Sequence, residues 1–158
     1  MTGRRPLRNL THPDRQADPC NTLPLRPYLV RLIENLVRLH QGHSGEVKLD
    51  FAIEEVELSP DVAVPLGLIV NEFVTNSLKH AFDGRGGAIK VCVETLENDI
   101  IRVRISDDGK GLPVEPRRPA RGSGTGMTLI ERLAQQIGTR PDWTSASGTM
   151  LRFEFGAR

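Results

Sequence analysis

Apolar residues fall in two kinds of spacing along the chain. From Leu25 to His40 they recur at Leu25, Leu29, Leu32, Ile33, Leu36 and Leu39, with Arg31, Glu34, Asn35 and Arg38 between them. That spacing predicts an amphipathic helix ended by Gly42, its stripe able to pack on the domain or on a partner helix. The stretch Pro65 to Asp83, PLGLIVNEFVTNSLKHAFD, predicts a second helix with Leu66, Val70, Phe73, Val74, Leu78, Ala81 and Phe82 on its apolar arc. A third helix, from about Met127 to Ile137, carries Met127, Ile130, Leu133, Ala134 and Ile137 on one face.

Four other segments alternate with period two: Val47, Leu49, Phe51, Ile53; Ile89, Val91, Val93, Thr95; Ile101, Val103, Ile105; and Leu151, Phe153, Phe155. Their intervening residues are mostly polar, so each strand has one apolar and one wet face, which predicts an open sheet covered by helices on one side. The short link from Thr95 to Asp99, with Asn98 in it, predicts an antiparallel hairpin between the second and third strands. A further strand near Trp143 to Ala146 pairs with Leu151 to Phe155 across Ser147-Gly148. The expected fold class is α/β (α+β): a two-layer sandwich with a mixed, largely antiparallel sheet.

Composition narrows the function classes. A chain of 158 residues, 38% apolar, suits one globular domain with a tail. A net charge of +1, one Trp, one Tyr and five Phe supply neither the field nor the stacking platform for nucleic acid. Cys20 and Cys92 form no metal-spacing pattern and fit a reducing, cytoplasmic compartment. No apolar run is long enough to cross a bilayer, so no direct membrane insertion is expected. Residues 1–23 are polar, basic and interrupted by Pro6, Pro13 and Pro19, which predicts disorder or a linker ahead of a domain over 24–158.

Candidate chemistry lies on the second helix. At 3.6 residues per turn Glu72, Asn76, Lys79 and Asp83 share an arc of roughly 60°, with His80 at its edge. Asn76 offers a neutral oxygen to a hard cation such as magnesium, Lys79 a point charge to a phosphate, and Glu72 a base for a metal-shell water. A solvated face with an i,i+4 pair gives the same pattern. In the third strand Asp107 continues the odd-numbered set Ile101, Val103, Ile105. Its carboxylate therefore points toward the helices, where burial requires donors such as an adenine amino group. The other reading is a carboxylate capping the turn Asp107-Asp108-Gly109. After Gly109-Lys110-Gly111 comes a loop with Arg117, Arg118 and Arg121, then Gly122-Ser123-Gly124-Thr125-Gly126 opening a helix, an arrangement that suits phosphate.

In this order the motifs resemble the histidine-kinase-type ATPases of the Bergerat fold. The matching stretches are Asn71-Glu72-Phe73-Val74-Thr75-Asn76-Ser77-Leu78-Lys79-His80-Ala81-Phe82, then Asp107-Asp108-Gly109-Lys110-Gly111-Leu112-Pro113. Gly122-Ser123-Gly124-Thr125-Gly126-Met127 and Gly148-Thr149 complete them. LGLIVNEFVTNSLKHAF looks most like bacterial sensor histidine kinases, and the likeness covers roughly Leu25 to Phe155. The resemblance implies an ATP-binding kinase domain of two-component signalling, with ATP and magnesium as cofactors. It implies Asn76 as the magnesium ligand, Glu72 as the acidic residue supporting catalysis, and Lys79 and His80 near the phosphates. Asp107 would receive the adenine amino group, Gly109 and Gly111 would admit the base, Gly124 and Gly126 would cradle phosphates, and Thr149 would support Asp107. Residues 109–125 would form the ATP lid, and 24–42 the N-terminal helix.

The chain departs from these kinases in carrying no phosphoacceptor helix motif. His12 precedes Pro13, while His40 and His43 flank Gly42, so all three read as surface residues. The lid lacks a clear Phe motif, and Thr139 stands where a second glycine is usual. The expected partner is therefore a separate dimerisation and phosphoacceptor domain or a response regulator protein. An anti-sigma-factor-type serine kinase and a non-catalytic nucleotide sensor are the alternatives.

Overall fold

The computed structural model describes residues 21–112 and 125–157. The elements run β1 (Leu23–Pro24), α1 (Leu25–Ser44), β2 (Val47–Ile53), β3 (Glu57–Leu58), α2 (Pro60–Asn76), β4 (Gly87–Thr95), β5 (Ile100–Asp107), α3 (Thr125–Ile137), β6 (Asp142–Ser145) and β7 (Thr149–Gly156). A π-helical turn, Ser77–Ala81, follows α2 directly. Five strands form one sheet in the order β2-β4-β5-β7-β6; β2 and β4 are parallel and every other neighbour antiparallel. The mixed sheet and the β4–β5 hairpin are those expected from the alternation.

Strand parity organises the core. Ile89, Val91 and Val93 of β4, Ile101, Val103 and Ile105 of β5, and Leu151, Phe153 and Phe155 of β7 are all buried. Register aligns them in rows, such as Val91 with Ile105 and Ile105 with Leu151. From α2 come Leu66, Ile69, Val70, Phe73 and Val74, all buried, and Phe73 stacks on Trp143 of β6 at 6.2 Å. Each such side chain contributes about 1.5–3 kcal/mol by leaving water, so the apolar arc of α2 suffices to hold it on the sheet. The other face keeps its charges at the surface. There Arg102 binds Glu154 at 2.7 Å and Glu94 at 3.1 Å, and Arg152 binds Glu154 at 2.9 Å. Hydrogen bonds from Arg152 and then Arg102 hold the Glu154 carboxyl below its ordinary range.

Three boundaries differ from those expected. The first helix does not end at Gly42 but runs through it to Ser44, and the chain leaves at Gly45 with φ +74°. Gly86 N–H closes on the Ser44 carbonyl at 2.9 Å, and a Cβ at Gly45 would lie 2.5 Å from Gly86 N. The second helix starts earlier, at Pro60 in its first turn, so Pro65 is an interior residue. Leu23 pairs with Leu58 in a two-residue ribbon rather than belonging to a linker. The rest of the expected linker, residues 1–20, lies outside the described residues. Among the described residues no helix is long and apolar enough to cross a membrane.

Candidate functional site

The site begins where α2 ends. Glu72 and Asn76, one turn apart, are half-buried because Phe73 and Val74 beside them turn into the core. The first turn of α3 comes down over this pair. A Cβ at Gly126 would lie 2.9 Å from Asn76 Nδ2 and 3.4 Å from Glu72 Oε2. A side chain there would press on the amide, so the glycine lets the helix start, with the positive end of its dipole, come close to the acid and the amide. Gly124, Arg117, Arg118 and Arg121 lie outside the described residues.

The polar stripe does not continue as a straight α-helix predicts. Over Ser77–Ala81 the helix widens to the π form, which shifts later side chains around the axis. Lys79 and His80 are exposed beyond Asn76. Asp83 leaves the stripe: it stands past the helix end with φ +49° and accepts from Lys110 Nζ at 3.1 Å. That pair is about half exposed on both sides, so it orients the Gly109–Gly111 loop more than it stabilises it.

Asp107 is the second half of the site. It occupies the last row of the core, opposite Ile89 and Thr149, and is 7% exposed. Its Oδ1 accepts from the N–H of Gly109 at 3.0 Å and of Thr149 at 3.2 Å, and its Oδ2 from the Ser77 hydroxyl at 2.7 Å. The capping role and the inward orientation therefore hold together: one oxygen caps the turn while the carboxylate stays in the helix-facing layer. Ser77 follows Asn76 directly, so the helix exit and the strand end meet through one hydrogen bond.

The glycines are explained by what surrounds them. A Cβ at Gly109 would lie 2.5 Å from the Ala81 carbonyl, which accepts from Lys110 N–H at 3.0 Å. Gly111 has φ +78° and faces Ser145 Oγ, which also accepts from Leu112 N–H at 2.9 Å. Gly148, φ +109°, packs its α-carbon against the Asp107 carbonyl, leaving no room for a side chain. Thr149 is buried beside it.

A hollow of about 360 Å³ lies behind this region, not between the helices. Its floor includes the row Lys90, Ser106, Met150 and Thr144, which belongs to the helix-free face. Sequence reasoning missed Ser77 and Ser145. Ser77 carried one signal, a hydroxyl inside the apolar arc of α2; Ser145 carried none.

A family model described as histidine kinase-, DNA gyrase B-, and HSP90-like ATPase matches residues 61–158. Blue-light-activated histidine kinase 2 of Erythrobacter litoralis is 28% identical over 134 residues, 84% of this chain and 38% of that protein. The chain thus spans well under half of that relative's length. Serine-protein kinase RsbW of Listeria monocytogenes is 30% identical over 107 residues, 59% of this chain and 68% of that protein. Among solved structures, the histidine kinase domain of an Erythrobacter litoralis blue-light activated kinase has a TM-score of 0.75 at 26% identity, covering 85% of this chain and 62% of that one. The mycobacterial sensor histidine kinase MprB has a TM-score of 0.67 at 20% identity over 87% of this chain and 97% of its own, a likeness of fold alone.

Proposed function

Since this chain belongs to the histidine kinase-, DNA gyrase B-, and HSP90-like ATPases, we propose that it binds Mg-ATP and passes the γ-phosphoryl group to a histidine on a separate domain or partner. The observation that supports this reading is the 2.7 Å bond to the buried Asp107 carboxylate from Ser77, the residue that follows Asn76 in the chain. Asp107 accepts the adenine amino group, with Thr149 holding it and Gly109 and Gly111 letting the base approach. Asn76 would hold magnesium through its amide oxygen, and Gly124 and Gly126 would offer backbone N–H groups to the phosphates. Lys79 and His80 add positive charge and donors beyond them. Glu72 orients the attacking group and takes its proton.

The donor set suits magnesium. Among the described residues no three His, Cys, Asp or Glu gather to hold a metal by themselves. Magnesium is commonly held by few protein oxygens, with phosphate oxygens and water completing the octahedron, and the single amide oxygen of Asn76 fits that habit. When bound, the ion neutralises phosphate charge; the work left to the chain is positioning and charge stabilisation, with no covalent enzyme intermediate. The acceptor nitrogen forms a bond to the γ-phosphorus as the bond to the β-bridging oxygen breaks, and ADP leaves.

Labelled ATP, mixed with this chain and a histidine-bearing dimerisation domain, tests the reading. Acid-labile, alkali-stable label on that domain supports histidine transfer. The similarity to the serine-protein kinase RsbW favours a second reading, a serine kinase acting on a protein partner, and acid-stable label on such a partner would establish it. No protein-bound label on either partner would defeat both.

A further inference from the structure

Asp107 Oδ1 receives two backbone N–H groups, from Gly109 and Thr149, while among the described residues Oδ2 receives the Ser77 hydroxyl. An ionised carboxylate has about four acceptor sites, so the one left over lies on the oxygen that Ser77 holds. Ser77 is 3% exposed, and water does not replace its hydroxyl freely. The hydroxyl has a second acceptor in reach, the Phe73 carbonyl at 3.1 Å. That carbonyl already accepts the Ser77 backbone N–H, and an ionised acceptor makes the stronger bond. The single hydroxyl proton therefore goes to Asp107. Two amides on Oδ1 anchor one side of the carboxylate, and among the described residues Ser77 is the donor that fixes Oδ2, where the remaining lone pair lies.

We propose that Ser77 is a positioning residue for base selectivity, turning Asp107 Oδ2 so that a 6-aminopurine nucleotide is accepted and a 6-oxopurine nucleotide is refused. The inference rests on the assignment of Asp107 to the adenine amino group. An amino group donates into the free lone pair. A 6-oxo group sets an oxygen against a carboxylate to which Gly109, Thr149 and Ser77 already donate, so lone pairs face one another. Ser77 touches the base only through Asp107.

The test measures dissociation constants of the full chain by calorimetry for ATP, inosine triphosphate and purine riboside triphosphate, which has hydrogen at position 6. Wild type is expected to prefer ATP to both analogues. Ser77→Ala lowers the preference for ATP over purine riboside triphosphate about tenfold, equivalent to about 1.4 kcal/mol, by weakening ATP and not the analogue. Ser77→Thr keeps the hydroxyl and retains the wild-type ratio. Ser77→Cys, near in size and a weaker donor, gives an intermediate ratio and decides the matter if the alanine variant does not fold. An unchanged ratio in the variants lacking the hydroxyl, whatever their melting temperature, overturns the role of Ser77 alone. A wild type that binds the three nucleotides equally, or not at all, overturns the assignment of Asp107 beneath it.

Discussion

Replacing Asp107 by asparagine separates the fold from the site, because the amide can be accommodated in only one way. With its oxygen in the place of Oδ1, the new side chain accepts from the Gly109 and Thr149 N–H groups as the carboxylate does. Its nitrogen then faces Ser77, which turns its own proton to the Phe73 carbonyl at 3.1 Å and accepts from the amide. The flipped amide would set a donor against two backbone donors in a buried layer and is excluded. Three charge-assisted bonds of about 1.5–3 kcal/mol become ordinary ones of about 0.5–1.5 kcal/mol. Relief from burying a charge offsets part of that loss. A net cost of about 1–2 kcal/mol lowers the melting temperature by about 2–8 °C in a chain of this size. Binding changes far more: the atom that faced the purine amino group as an acceptor now faces it as a donor. ATP affinity should fall at least about a hundredfold. Calorimetric titration with Mg-ATP, alongside thermal melting, reads both numbers. A folded Asp107→Asn variant that binds ATP within about threefold of wild type would refute the placement of adenine at this carboxylate.

Gly126→Ala should leave or raise the melting temperature, since alanine gains up to about 1 kcal/mol in a helix. It should nevertheless weaken the magnesium-dependent part of ATP binding, because its Cβ meets Asn76 Nδ2 at 2.9 Å; titrations with and without magnesium separate the two effects. Gly148→Ala meets both a left-handed φ of +109° and the Asp107 carbonyl. A loss of about 2–4 kcal/mol is expected, visible as a lower denaturation midpoint. Glu154, held below its ordinary value of 4.5 by Arg152 and Arg102, adds stability that is present above that value and lost as pH falls through its depressed one. Glu154→Gln should therefore flatten the acid limb of a melting-temperature profile below about pH 4.5 and leave the neutral limb's slope unchanged.

The legible part of this molecule was what repeats. Ile101, Val103 and Ile105 alternate without interruption, so the inward direction of Asp107 followed from counting by two, and its burial bears the count out. Glu72 and Asn76 lie one turn apart within a regular helix, and they emerge together. Counting failed where the backbone changed its own period. The π turn after Asn76 is written in no hydrophobic spacing, and Asp83, read as a further rung of the stripe, ends on Lys110 instead. It failed again where a distant segment decides: Gly42 was read as the helix stop, but the chain leaves at Gly45, where Gly86 arrives across it.

Ser77 shows why the remaining pieces escaped. Within the helix a serine among Val74, Leu78 and Ala81 is merely a polar interruption of an apolar arc, and nothing local requires it. Its reason is a carboxylate thirty positions later that arrives in the same buried layer with one oxygen short of a donor. A small hydroxyl, polar enough to hold a charge, satisfies both demands, whereas alanine meets only the first. The helix and the strand each specify their own course by periodicity, but the site exists because these two short side chains fit one another. The carboxylate keeps the Ser77 donor only while the helix stays on the sheet, so the geometry offered to a nucleotide and the packing of the domain are one arrangement.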